Sequence, residues 1–101
     1  MKMPKNSLMS VLPSNSKTKK YTATFMLSSG KEKKVSFGQR GADDYTIKKD
    51  KEQRDRYRKR HEKDLKTGDP MRAGYLSYYL LWGDSTSLKQ NIKSYKKRFK
   101  L

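Results

Sequence analysis

The sequence predicts an α+β fold: an N-terminal extended arm, one β-hairpin, then about three α-helices packed on a small aromatic core. Three observations predict it. Over residues 19–38 apolar side chains alternate with polar ones, which is the period of a strand. From Ile47 onward the spacing lengthens to three and four residues, which is the period of a helix. Finally, Tyr75-Leu76-Ser77-Tyr78-Tyr79-Leu80-Leu81-Trp82 sets seven apolar or aromatic side chains in eight positions of a chain that is elsewhere mostly charge. A run so dense is either buried or presented to a partner, because bare apolar surface drives association. It is far shorter than the roughly 18 to 20 residues that cross a bilayer.

Residues 1–18 contain Pro4, Pro13 and several Ser and Asn, with no period of 2 or 3.6, and read as an arm that is disordered or ordered only by a partner. Its partner-touching candidates are Lys2, Lys5, Leu8, Val11, Leu12 and Lys17. Residues 19–101 form the remaining unit, a small basic domain with a thin stability margin. In the hairpin, residues 19–38, Tyr21, Ala23, Phe25 and Leu27 alternate with Thr22, Thr24 and Met26, and Lys33, Val35 and Phe37 alternate with Lys34 and Ser36. Ser28-Ser29-Gly30-Lys31 joins the strands and supplies a glycine for a positive φ. A lone hairpin is marginal in water, so its Tyr21, Phe25, Val35 and Phe37 face needs a cover, which residues 75–82 can provide.

Residues 38–50 are a turn-rich connector with potential N-caps at Asp44 and Thr46. Its glycines match no phosphate-binding spacing, and Asp43 and Asp44 would repel an anion, so a structural turn is the simpler reading. Capping and charge pairing likewise explain Asp43, Asp44 and Asp50 more simply than a cation site. A charged helix, residues 47–66, has only Ile47, Tyr57, His61 and Leu65 to offer a core. Asp50 to Arg54, Glu52 to Arg56, Asp55 to Lys59 and Glu62 to Lys66 are acid-first i,i+4 pairs, each worth about 0.2 to 0.5 kcal/mol. Arg54, Arg56, Arg58, Lys59, Arg60 and Lys63 make either a polyanion-binding face or a solvated, internally paired one, and the two readings stand equal.

Thr67-Gly68-Asp69-Pro70 is a stop and restart, with Gly68 in the left-handed position and Asp69 and Pro70 opening an aromatic helix over residues 70–82. Gly74 inside that helix implies that another backbone passes close by. After the caps at Asp84-Ser85-Thr86-Ser87, a Lys-rich amphipathic helix spans residues 86–100. Leu88, Ile92, Tyr95 and Phe99 form its stripe, opposite Lys89, Lys93, Lys96, Lys97 and Lys100. The stripe docks on the aromatic helix in the favoured reading; an interfacial membrane helix is the minority one. The expected core is Tyr21, Phe25, Phe37, Tyr57, Tyr75, Tyr79, Leu80, Trp82, Leu88, Ile92, Tyr95 and Phe99.

The 26 Lys and Arg against 10 Asp and Glu give a formal net charge of +16, so the natural partners are nucleic acid, an anionic lipid face or an acidic protein surface. The absence of Cys excludes disulfides and Cys-based zinc sites, and fits a reducing compartment. The N-terminal residues contain no apolar h-region, so the protein is expected not to be secreted. An enzyme is the least favoured class: His61 is the one histidine, and carboxylates paired with arginines stay ionised, which does not suit a general acid. No catalytic residue, metal, cofactor or small-molecule substrate is expected.

Phe37-Gly38-Gln39-Arg40-Gly41, Asp44-Tyr45-Thr46-Ile47, Arg54-Asp55-Arg56-Tyr57-Arg58-Lys59-Arg60-His61, Ala73-Gly74-Tyr75-Leu76-Ser77-Tyr78-Tyr79-Leu80-Leu81-Trp82 and Tyr95-Lys96-Lys97-Arg98-Phe99 together resemble a small basic protein family of large DNA viruses that infect algae and amoebae. The resemblance spans about residues 20–100 and covers the order of elements as well as the words. Where members often have Trp-Asn-Lys-Pro-Thr, this chain has Trp82-Gly83-Asp84-Ser85-Thr86, a different cap. The family has no established function, so the resemblance implies a virion setting without naming an activity. With the polar arm of residues 1–18 as a tether and the small core, the favoured reading is a non-enzymatic minor capsid or capsid-interior protein that tethers larger subunits and faces genome or inner membrane, in the virion and, during assembly, in host cytoplasm or nucleus. Its partners would be other virion or capsid proteins, with DNA or an anionic inner-membrane surface beside them. The alternative is a sequence-independent nucleic-acid-binding protein of viral genome packaging or expression.

Overall fold

The computed structural model describes residues 6–101. Three antiparallel strands, β1 (Ser7–Pro13), β2 (Lys19–Met26) and β3 (Glu32–Gln39), form one sheet in the order β1-β2-β3. The expected hairpin is β2 and β3, in a register that sets Tyr21 opposite Phe37 and Ala23 opposite Val35. Its turn closes with Leu27 N–H donating to the Lys31 carbonyl at 2.8 Å, and Gly30 takes a φ of 92°.

The arm expectation is corrected: Ser7–Pro13 is an edge strand of the chain's own sheet. Leu8 pairs with Phe25 and Val11 with Ala23, so these two side chains share the inner face although they stand three residues apart. A bulge between Leu8 and Ser10 absorbs the extra residue, Met9, and erases the two-residue period that would mark a strand. Leu8 is only 2% exposed and belongs to the core; Val11 packs against it. Lys2 and Lys5 lie outside the described residues. Arg40 fastens the β1–β2 connection, donating from Nη2 to the Ser14 carbonyl at 2.8 Å and from Nε to the Ser16 carbonyl at 3.1 Å.

The connector ends in one helical turn, α1 (Tyr45–Lys48), capped by Asp44. The Asp44 carboxylate is buried; it accepts from Thr46 N–H at 2.8 Å and from the Lys20 ammonium at 2.7 Å. The single long charged helix is also corrected. Lys49 adopts φ 58°, breaking the chain, and Asp50 restarts it as N-cap of α2 (Lys51–His61), which continues as a 3-10 turn (Glu62–Thr67). Asp50 thus caps backbone N–H groups, and among the described residues none of the four i,i+4 pairs closes to ion-pair distance.

Gly68 holds the left-handed cap after the 3-10 turn, and Asp69 accepts from Met71 N–H at 2.9 Å. The aromatic helix starts later than residue 70, because Pro70 belongs to this turn. It comprises α3 (Ala73–Leu76), which passes without a break into a π-helical turn (Ser77–Leu81). Trp82 N–H closes that turn on the Ser77 carbonyl at 3.1 Å. What passes close to Gly74 is a side chain rather than a backbone: a Cβ built there would stand 3.1 Å from Cβ of Asp64. Last comes α4 (Leu88–Phe99), and Leu8 N–H donates to the Leu101 carbonyl at 3.1 Å, joining β1 to the residue beyond α4.

The helices cover one face of the sheet, with α3 and the π turn against β3. One cluster buries Leu8, Ala23, Phe25 and Phe37 with Tyr75, Leu76, Leu80, Leu81, Trp82 and Tyr95; Tyr21, Tyr57, Tyr79, Leu88, Ile92 and Phe99 pack on it half-buried. Ile47, one of the few apolar residues that the charged helix could offer to a core, is exposed, because the break at Lys49 detaches its turn from α2. Tyr95 anchors α4: its hydroxyl donates to the Pro70 carbonyl, and its ring packs on that of Tyr79 at 5.9 Å. Burial, then the neighbouring Tyr75, Tyr79 and Asp69, push that hydroxyl far above the ordinary phenol range.

Two outcomes follow from this packing. Leu8→Ala should cost about 2 to 5 kcal/mol in urea unfolding, as for a buried leucine; a loss below about 0.5 kcal/mol would return β1 to the status of an arm. The raised Tyr95 pKa means that the folded state favours the neutral phenol, so its contribution is complete below the unfolded value of about 10 and falls as pH rises beyond it. Tyr95→Phe should therefore cost about 1 kcal/mol near pH 8, with the deficit shrinking by about pH 11. A deficit constant across that range would rule out Tyr95 as the ionising group.

Candidate polyanion interface

The basic residues divide into those turned to solvent and those that hold the fold. On α4, Leu88, Ile92, Tyr95 and Phe99 face the core cluster, together with the buried Asn91. At 3.6 residues per turn, Lys89, Lys93, Lys96 and Lys97 then fall in one sector of roughly 100° on the other side. All four are exposed, α4 contains no Asp or Glu, and none of the four joins an ion pair among the described residues. Lys96, Lys97 and Arg98 in the last turn also suit the negative end of the helix dipole.

Asn91 fixes where this face points. Its Nδ2 donates to the carbonyls of Leu80 at 2.9 Å and Ser85 at 2.8 Å, and its Oδ1 accepts from Ser85 N–H at 3.0 Å. The turn can lie that close because residue 83 is glycine; a Cβ there would collide with the Tyr79 carbonyl and come within 2.8 Å of Asn91. Asn91 was not singled out in the sequence, where it is one polar residue in a polar helix.

Two of the polyanion candidates on α2 turn inward. Arg54 is 8% exposed, lies 4.8 Å over the Tyr45 ring and donates from Nε and Nη2 to Asp55 at 3.1 Å. Arg58 donates from Nε to the Trp82 carbonyl at 2.7 Å and from Nη2 to Asp84 at 2.9 Å. That hydrogen bond holds the Asp84 carboxyl below the usual carboxylate range, against the opposing effect of its partial burial. Arg56, Lys59, Arg60 and Lys63 are exposed, but Glu52, Asp55 and Glu62 are exposed among them. The two helices also dock on different parts of the aromatic segment: Tyr57 of α2 stacks on Trp82, whereas Tyr95 and Phe99 of α4 meet Tyr75 and Tyr79. The basic residues therefore do not merge into one face spanning α2 and α4. In the former arm, Leu12 and Lys17 are exposed, Leu12 at 60%.

A second arrangement arises from the fold alone. Tyr57 lies between Trp82 and His61, with centroids at 4.4 Å and 4.2 Å and ring planes within 11° and 24°. His61 Nδ1 lies 3.0 Å from Asp64 Oδ2. The stack runs from the core into a cleft of about 480 Å³ bounded by the ends of β2 and β3, α2 and α3. The Tyr57 hydroxyl is pushed above the ordinary phenol value, chiefly by burial and then by Asp64.

Among the described residues, no group of three or more His, Asp or Glu converges as a metal ion would require, and no helix is long and apolar enough to cross a membrane. Arg58→Ala should cost about 1 to 3 kcal/mol of stability by orphaning the Trp82 carbonyl, while Arg56→Ala should stay within about 0.5 kcal/mol. Equal effects in urea melts would contradict this division of the arginines.

A family model described as a family of unknown function (DUF5754) matches residues 9–61, and the chain belongs to that family. Neither the curated proteins nor the solved structures contain a match.

Proposed function

We propose that this member of the DUF5754 family is a small non-enzymatic structural protein that lays the lysine face of α4 on a nucleic-acid backbone and offers the edge of β1 to a protein neighbour. The observation that carries the reading is the single-sign sector of Lys89, Lys93, Lys96 and Lys97 on a helix without acids. Such a face matches a line of phosphates by charge and carries no groups placed to read bases, so binding is independent of sequence. The β1 edge supports the second contact: Met9 is 52% and Leu12 60% exposed beside a strand edge that β2 leaves unpaired.

With the viral resemblance of residues 20–100, the setting is the interior of a virion. The polyanion is then the packaged genome, and the neighbours are capsid proteins. The inner-membrane surface is the weaker partner, because α4 commits its apolar side to the core rather than to lipid. Arg54 and Arg58 contribute through the fold, not through contact.

Titration of duplex DNA at several salt concentrations tests the interface. If four lysines neutralise phosphates, log K should fall with log salt at a slope near about −4, and Lys93→Glu with Lys97→Glu should lower its magnitude by about 2. The paired control Lys31→Glu with Lys34→Glu, on exposed residues of the β2–β3 hairpin, should lower affinity less and leave the slope near its original value. An unchanged slope in the α4 variant would overturn the reading.

A further inference from the structure

We infer that the cleft at the end of the Trp82–Tyr57–His61 stack is a binding site for one nucleotide unit, a planar base bearing a phosphate, distinct from the lysine face of α4. The geometry of the rings carries the inference. Around Phe99 the aromatic pairs are edge-on, Tyr75, Tyr79 and Tyr95 all meeting it at 63° to 72°, and the stacked Tyr21–Phe37 pair is two rings set 5.9 Å apart at 27°. The Trp82–Tyr57–His61 series joins three near-parallel rings at 4.4 Å and 4.2 Å, and it leads outward: Trp82 is buried, Tyr57 half-buried, and the His61 side chain 40% exposed. A near-parallel series that ends at an open cleft invites one more flat ring, and nucleobases stack on aromatic and imidazole faces regardless of their identity.

The surroundings suit the rest of the ligand. The cleft volume lies within the roughly 300 to 1,000 Å³ typical of small-ligand sites. Lys19 and Arg60 line it and join no ion pair among the described residues, leaving them for a phosphate. Gln39 and Gln53 supply amides for a base edge. The acidic groups there are already engaged: Asp64 with His61, and Asp43 with Lys48 at 4.0 Å. Asp64 also fixes the imidazole plane, and it reaches that position because Gly74 has no side chain to displace it. The glycine that costs the aromatic helix stability thereby sets the orientation of the platform.

The test uses the full chain with adenosine monophosphate and with short fluorescein-labelled oligo(dA), reading anisotropy of the labelled strand and quenching of Trp82, the only tryptophan. Binding of the strand alone assigns the cleft to single-stranded nucleic acid, and binding of both extends it to free nucleotide. His61→Ala should weaken binding about tenfold and His61→Phe should keep it within about twofold, because the stacking face is what matters. Duplex binding and its salt slope should be unchanged in both, which separates this site from α4. Circular dichroism establishes that the variants are folded. Failure of both ligands to bind, unchanged affinity in His61→Ala, or an equal loss in His61→Phe would overturn the inference.

Discussion

The sheet, α2 and α4 lean on the buried segment from α3 through the π turn to Trp82. A strand pair needs a cover, α2 is nearly without apolar residues, and α4 has a single stripe; none is stable alone. The π turn lets one short segment serve all three. It sends Leu80 and Leu81 into the core beneath the sheet, Tyr79 towards α4 and Trp82 towards α2. A wider turn than an α-helix is the kind of irregularity found where side chains must diverge from a small length of backbone.

The charge of the chain is arranged around that wall by location rather than by number. Cations beside aromatic rings become part of the structure: Arg54 over Tyr45, Arg58 on the Trp82 carbonyl, Arg98 5.1 Å over Tyr79. An arginine suits such positions because its flat, weakly hydrated guanidinium stacks and donates at once. Lysines, with compact and strongly hydrated heads, occupy the outer side of α4.

The hairpin and α4 were legible because their patterns are local: two-residue alternation around Gly30, and an i, i+4, i+7, i+11 stripe. The strand β1 was hidden by the Met9 bulge, which shifts Leu8 and Val11 to odd spacing. The break between α1 and α2 was hidden because it falls on Lys49, a residue that announces no left-handed conformation; only the Asp50 cap hinted at a start. Arg54 had Asp50 as its apparent partner one turn earlier, whereas the Tyr45 ring that it covers comes nine positions earlier across that break. The stack was half legible. Tyr57 and His61 are one helical turn apart, but the role of Trp82, 25 residues after Tyr57, exists only in three dimensions.

The hydrogen bond from Leu8 to Leu101 ties the earliest described strand to the last residue of the chain. During synthesis β1 leaves the ribosome before α4 and cannot complete its contacts until α4 has followed. Such distant closure raises contact order, and it slows folding relative to a bundle of local helices. Until then the Leu8 N–H lacks its Leu101 partner, on a chain that repels its own copies by charge. The +16 excess would therefore act before the fold exists, keeping nascent chains apart while β1 waits for its partner.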